Sequence, residues 1–359
     1  MLHNPFRRKG IFIDLHTPIV NMRIVRNVHL KTYNTFGIDV KAKYFVEVDS
    51  LKNLEKLAST KEFQSEKKLI LGGGSNVLFT QDFDGLVIKI NLKGIHTTAL
   101  NEKQVIVSAA AGEVWHDLVL YSIQKGLSGL ENLSLIPGCV GASPIQNIGA
   151  YGVEVKDCIY TVEAYNTITN SIQTFTAEQC RFGYRDSIFK NEAKNKFIIT
   201  QVNFILSSEA KINTSYGAIE QELQQMGIAN PTSKDVSDAV CSIRNSKLPN
   251  PKIIGNAGSF FKNPIITNDQ LNQLREIYPT IISYKADATH SKLAAGWMIE
   301  QCGWKGKTVG QCGVHSKQSL VLINHGNASG KDVYNLSELI ISAVKEKFHV
   351  TLEREVNIL

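Results

Sequence analysis

The chain has 359 residues, 43% of them hydrophobic and 20% charged, which suits two or three globular domains and excludes a disordered, fibrous or membrane-embedded class. Its net charge of +6 is mild, and the one dense basic cluster, Arg7-Arg8-Lys9, is followed by no Lys/Arg tract with interleaved aromatics; small anionic ligands are expected as partners, and nucleic acid is not. The six cysteines, at 139, 158, 180, 241, 302 and 312, form no C-x-x-C pair and have no histidine at zinc spacing, so reduced thiols, a cytoplasmic location and no metal are expected.

In chain order, Ile11-Phe12-Ile13 follows a basic stretch, but Asp14, His16 and Pro18 interrupt the apolar run and no small-x-small site follows. No export signal is read there. Residues 1–21 read as a dispensable extension, within an N-terminal segment 1–31 that precedes the first domain. No run of about 18 apolar residues exists, so no membrane insertion is expected.

The segment 32–97 reads as a small α/β unit. It has a strand at 44–48, a helix at 50–60 carrying Leu51, Leu54 and Leu57 with Ser50 as N-cap, and strands at 68–71 and 85–90. The second unit, 98–245, opens with a strand at 105–109 and a helix bearing Val114, Trp115, Leu118, Val119 and Tyr121, which Gly126 is placed to close in the left-handed conformation. Strands follow at 159–165, 171–176 and 197–206, then a helix at 233–248 stopped by Pro249. The third unit, 246–359, begins with an irregular stretch at 250–264. A helix is predicted at about 291–302 between Ser291 and Gly303, a strand at 319–323, a helix at 331–348 with Val333, Leu336, Ile340 and Val344 on one face, and a closing strand over 350–359.

Two glycine-rich loops call for a ligand. Gly72-Gly73-Gly74-Ser75-Asn76 lies between two short apolar runs. It lacks the Gly-Lys-Ser/Thr of a P-loop, and Val77 opens no helix of the dinucleotide-binding kind. Consecutive glycines let the backbone aim several N–H groups at one phosphate, although a simple glycine hairpin has the same composition. The loop from Ile136 to Gly152 contains Pro137, Gly138, Gly141, Ala142, Ser143, Pro144, Gly149 and Ala150. Few side chains there can fill a core, which suits close approach of a flat ligand, with Gln146 and Asn147 available to a heterocycle. Together the two loops favour a large nucleotide cofactor.

Six motifs occur in order over residues 32–358: Asn34-Thr35-Phe36-Gly37, Gly74-Ser75-Asn76, the 136–152 loop, Cys180-Arg181-Phe182-Gly183-Tyr184-Arg185-Asp186-Ser187, Gly255-Asn256-Ala257-Gly258-Ser259-Phe260-Phe261-Lys262-Asn263-Pro264, and Leu352-Glu353-Arg354-Glu355-Val356. The ordered set closely resembles the UDP-N-acetylenolpyruvoylglucosamine reductase family. The resemblance implies an α+β chain: a two-subdomain FAD-binding fold of the vanillyl-alcohol-oxidase type plus a C-terminal α/β substrate-binding domain. Thr214-Ser215-Tyr216-Gly217 looks like the tyrosine loop of the first family subtype.

The same resemblance implies non-covalent FAD, NADPH as hydride donor, a UDP-sugar substrate and a monomer. It places Arg185, Ser259 and Glu355 as the catalytic residues, with Gly72, Gly73, Gly74, Ser75, Asn76, Pro137, Gly138, Ser143, Gly149 and Ala150 at the cofactor. Tyr216, Arg244, Lys247, Asn263 and Gln318 fall on the substrate side. Two positions depart from the family pattern: Gly73, often acidic in relatives, should only add flexibility, and Ala142, often serine, removes one hydroxyl. Taken singly, Arg185 reads as well as a surface ion pair, Ser259 as a turn serine and Glu355 as a solvent-facing strand carboxylate. In an alternating final strand Glu355 shares a face with Thr351, Glu353 and Asn357, away from the apolar side.

Overall fold

The computed structural model describes residues 22–359; the extension expected over 1–21 lies outside the described residues. Val25–His29 pairs antiparallel with Lys41–Val48, Val25 opposite Phe45 and His29 opposite Lys41. The first sheet therefore begins inside the segment expected to precede the domain. Its order is Val25–His29, Lys41–Val48, Phe83–Ile90, Lys68–Leu71, the last three strands parallel. Helix Leu51–Ala58 makes the crossover, and Ser50 caps it by accepting the Asn53 N–H.

This sheet is buried on both faces. Val46, Leu86 and Ile88 point into a core shared with the second sheet. Phe45, Val87 and Leu71 point into a core shared with the C-terminal domain. That is why Leu86-Val87-Ile88 is a continuous apolar run rather than an alternating one. The second sheet is antiparallel and five-stranded, in the order Ser171–Thr176, Ile159–Asn166, Phe197–Ser207, Gln104–Ala110, Ile95–Ala99. Helix Trp115–Gln124 packs on it through Trp115, Leu118 and Val119, and Gly126 closes it with φ 71°.

Two helices, Gly217–Gln225 and Ser233–Lys247, form a small separate core from Ile219, Leu223, Val236, Ala239, Val240 and Ile243. The longer one starts with a reciprocal cap between Thr232 and Asp235. The C-terminal domain has an antiparallel sheet in the order Gly255–Ser259, Val321–Asn324, Cys312–Val314, Thr308–Val309. Helix Gly330–Phe348 lies on it through Val333, Leu336, Ile340 and Val344.

Two sequence expectations change here. The helix drawn over 291–302 begins only at Ala295–Gln301, after an Ala294 N-cap with no side-chain bond. Ser291 belongs instead to His290–Leu293, the middle strand between Ile265–Thr267 and Ser283–Lys285. Buried Ser291 and Leu293 alternate with half-buried His290 and Lys292, so pairing on both edges overrides helical spacing. The final ten residues do not form one strand. Arg354 bridges Phe261, and then Asn357–Ile358 pairs parallel with Val77–Leu78, so the tail passes from the C-terminal domain to the glycine loop.

The motif 34–37 is the joint between domains. The Asn34 amide closes its own turn on Leu30 O and Ile38 O. The Thr35 N–H donates to Gly74 O at 3.0 Å, and Thr35 O accepts the Asn256 N–H at 3.1 Å. Phe36 O accepts from Asn324 Nδ2 at 2.9 Å. The first glycine loop and the strand bearing Ser259 are thus registered through one turn. Among the described residues no helix is long and apolar enough to cross a membrane.

Candidate active site

A cavity of about 280 Å³ opens where the two glycine loops, the Arg185 loop, strand Gly255–Ser259 and the C-terminal tail meet. Gly73 and Gly138 bring the loops together: a Cβ on Gly73 would stand 2.9 Å from the Gly138 Cα. Glycine at 73 therefore does more than add freedom, since it lets two main chains touch. Ser75 Oγ donates to Pro137 O at 3.0 Å, and Asn76 Nδ2 donates to Gln146 Oε1 at 2.5 Å and to Glu355 O at 3.3 Å. Among the described residues, no protein acceptor takes the N–H groups of Gly73, Gly74, Ser75 or Asn76. Consecutive free amides at a cavity wall form an anion nest.

Gly72 to Asn76, Pro137, Ser143, Gly149 and Ala150 all line the cavity; Gly138 is not part of its wall. The Ser143 hydroxyl is spent on Val140 O at 2.7 Å. Asn147, expected to be available to a heterocycle, is fully buried and committed: its Nδ2 donates to Glu154 Oε2 and Gly183 O, and its Oδ1 accepts from the Lys156 N–H. Its amide ties the second glycine loop to the Arg185 loop, a burial that a polar side chain tolerates only when fully bonded.

Arg185 sits on a left-handed residue with φ 56°. Its Nε stands 3.1 Å from Glu355 Oε1, while Nη2 donates to Gly149 O at 2.6 Å and Nη1 to Asn147 O at 3.3 Å. Lys190 Nζ holds the Arg185 carbonyl at 3.0 Å. Burial pushes the Glu355 carboxyl above its ordinary range, against the opposing pull of Arg185, Lys190 and Lys262. The main chain places it, because the Glu355 N–H donates to Phe260 O at 2.8 Å, one residue from Ser259.

Ser259 lies beyond a bulge in strand Gly255–Ser259, between Asn256 and Ser259. Gly258 takes φ 70° there. The irregularity turns Ser259 out into the cavity while Phe260 and Phe261 bury beneath it.

Arg244, on helix Ser233–Lys247, reaches the same cavity. It lies near the Tyr151 phenol, and burial lowers its pKa. Its buried Nε has no partner, as expected of a cation awaiting an anion. Tyr216, Lys247, Asn263 and Gln318 lie outside the cavity wall. Tyr216 is 40% exposed and edge-on to Tyr151 at 5.3 Å. Lys247 is exposed near the helix end. Asn263 Oδ1 accepts the Ala295 N–H at 3.0 Å, and Gln318 Oε1 accepts the Leu320 N–H at 3.3 Å.

The sequence reading did not single out Lys190, Tyr184 or Lys292. Lys292 Nζ lies 4.2 Å over the Tyr184 ring beside Arg185. The period-two alternation of His290–Leu293 was the available signal, hidden by the helical reading of that segment.

The residues present fit a phosphorylated flavin: a bare main-chain slot and four free amides for its anionic linker. Comparison with known proteins agrees. Residues 42–171 match the FAD binding domain family model, and residues 249–359 match that of the UDP-N-acetylenolpyruvoylglucosamine reductase C-terminal domain. The fold is therefore the expected two-subdomain FAD-binding fold with a C-terminal domain, and the chain is an oxidoreductase.

The UDP-N-acetylenolpyruvoylglucosamine reductase of Flavobacterium johnsoniae is 51% identical over 94% of this chain and 100% of that protein. That of Chromobacterium violaceum is 49% identical over 92% and 97%. The crystal structure of the Thermus caldophilus enzyme shares the fold with a TM-score of 0.65 at 23% identity, over 94% of this chain and 99% of that one. The chain belongs to the UDP-N-acetylenolpyruvoylglucosamine reductase family.

Proposed function

We propose that the chain binds FAD non-covalently and uses NADPH to reduce UDP-N-acetylenolpyruvoylglucosamine to UDP-N-acetylmuramate, a step of peptidoglycan precursor synthesis. The observation that carries this reading is the convergence of the Arg185–Glu355 pair and the Ser259 hydroxyl on the cavity walled by free glycine-loop amides. The chemistry FAD supplies there is two-electron transfer between NADPH and the enolpyruvyl double bond.

Reduction at the terminal carbon leaves negative charge on its neighbour, spread into the substrate carboxylate. Arg185, always charged and forked, pairs with that enolate and is held ready by Gly149 O and Asn147 O. Ser259 supplies the proton. A serine hydroxyl is a very weak acid, but an enolate dianion is a strong enough base to take its proton. A carboxylate arriving at Arg185 adds a second negative charge beside Glu355, which favours the protonated form of a carboxyl already raised by burial.

We assign the chain to the first family subtype, with Tyr216 covering the bound nucleotide from the start of helix Gly217–Gln225. Lys247, Asn263, Gln318 and Arg244 supply cations and amides to the diphosphate and sugar; of these Arg244 opens into the cavity. The chain is read as a cytoplasmic monomer; six free thiols are consistent with that compartment. The test is NADPH oxidation by the purified protein: turnover should require the enolpyruvyl UDP-sugar, and equal consumption with and without it would refute the reading.

A further inference from the structure

The start of helix Trp115–Gln124 grips the second glycine loop and the residues leading into it at three points. Trp115 Nε1 donates to Leu133 O at 2.8 Å, and the Trp115 N–H donates to Gly138 O at 3.0 Å. Between them, the Leu135 N–H donates to His116 Nδ1 at 3.0 Å. Leu135 has φ 58°, a left-handed conformation that costs a non-glycine residue about 1–2 kcal/mol. It is followed directly by Ile136 and Pro137 of the cavity wall, and Pro137 O receives Ser75 from the first loop. The strained residue that turns the chain into the cofactor wall is thus held by one imidazole nitrogen.

We infer that His116 is a positioning residue for the cofactor, its unprotonated Nδ1 fixing Leu135 and through it the Pro137 wall, so that protonation of His116 releases this grip. The inference rests on the reading that the cavity holds FAD. A backbone N–H can donate only to a bare ring nitrogen, so the neutral ring carries its proton on Nε2, which faces Cys241 Sγ at 4.0 Å. Asp117 on the same helix favours the imidazolium, Arg244 on the facing helix opposes it, and burial opposes it most, so the His116 pKa is lowered. The Cys241 thiol, raised by burial, stays protonated.

The sign follows. A histidine whose folded pKa lies below its unfolded value contributes its full stabilisation above about pH 6.5 and loses it as pH falls through the lower folded value. FAD release should therefore quicken on acidification.

The experiment compares wild type with two variants, following flavin fluorescence on release of FAD and hydrogen exchange at the Leu135 amide. His116→Phe keeps a ring without an acceptor, and His116→Asn keeps an acceptor in the Nδ1 position without titrating. Wild type should release FAD about tenfold faster at a pH below the lowered pKa of His116 than at about pH 7.5. His116→Phe should be fast at both pH values and His116→Asn slow at both. The Leu135 amide should exchange about tenfold faster in the Phe variant than in wild type or the Asn variant. Wild-type exchange and release in the Phe variant would overturn the inference, as would an Asn variant that keeps the wild-type pH dependence. Should wild type take up no FAD at all, the cofactor reading fails instead, and Leu135 exchange in the apo chain still decides the role of His116.

Discussion

At the scale of single residues, the proposed chemistry separates the site into groups that bind and one, Ser259, that gives a proton. Ser259→Ala should leave bleaching of the bound flavin by NADPH unchanged and slow its reoxidation by the enolpyruvyl sugar about 10²-fold or more; stopped-flow absorbance reads both halves, and wild-type reoxidation would remove the assignment. Glu355 carries a stability prediction of its own. Its folded pKa is raised above the ordinary 4.5, so between the two values the folded state holds a proton that the unfolded state does not, and stability falls as pH rises through that window. Glu355→Gln should therefore melt at a higher temperature than wild type at neutral pH, with the gap closing below about pH 4.5, while turnover drops. A variant that melts lower at neutral pH would show that the Arg185 pairing outweighs burial. The residues proposed as catalytic stood out in the sequence because each sits in a distinctive motif. Asn147 and His116 did not: an amide and an imidazole say nothing in sequence about whether they face a ligand or brace a loop, and here both side-chain polar atoms of Asn147 are consumed internally.

At the scale of elements, the bulge in strand Gly255–Ser259 aims Ser259. A Cβ at Gly258 would meet nothing within 4 Å, so the cost of Gly258→Ala is purely conformational, about 1–2 kcal/mol. Urea unfolding should show that loss, and the Ser259-dependent half-reaction should slow with it; an unchanged midpoint would mean that the strand relaxes to a regular register. The strand went unread because Gly-Asn-Ala-Gly-Ser has almost no β propensity. It exists because Thr35 O and the strand Val321–Asn324 supply its partners from far away in sequence. Helices with strong local signals, such as Gly330–Phe348 with its Ser329–Asp332 capping box, were legible to within a residue. The segment 291–302 failed because its apolar spacing suits both periods and only the flanking strands decide between them.

At the scale of the whole molecule, the first sheet couples the domains because Ile88 faces one core and Leu71 the other. Ile88→Ala and Leu71→Ala should each cost about 2–5 kcal/mol and shift the same single unfolding transition. Two steps, with only one displaced by each substitution, would show that the domains unfold separately. The contacts that join residues 34–37 to both neighbours and the crossing of the tail to Val77–Leu78 were not visible in the sequence, since both rest largely on main-chain bonds that leave no mark on composition. The most direct measurement is anaerobic absorbance of the FAD-reconstituted protein. Flavin absorbance should appear on reconstitution, bleach with NADPH, and return when the enolpyruvyl UDP-sugar is added. A protein that takes up no flavin, or whose bleached flavin stays reduced in the presence of that sugar, would contradict the assignment of this cavity.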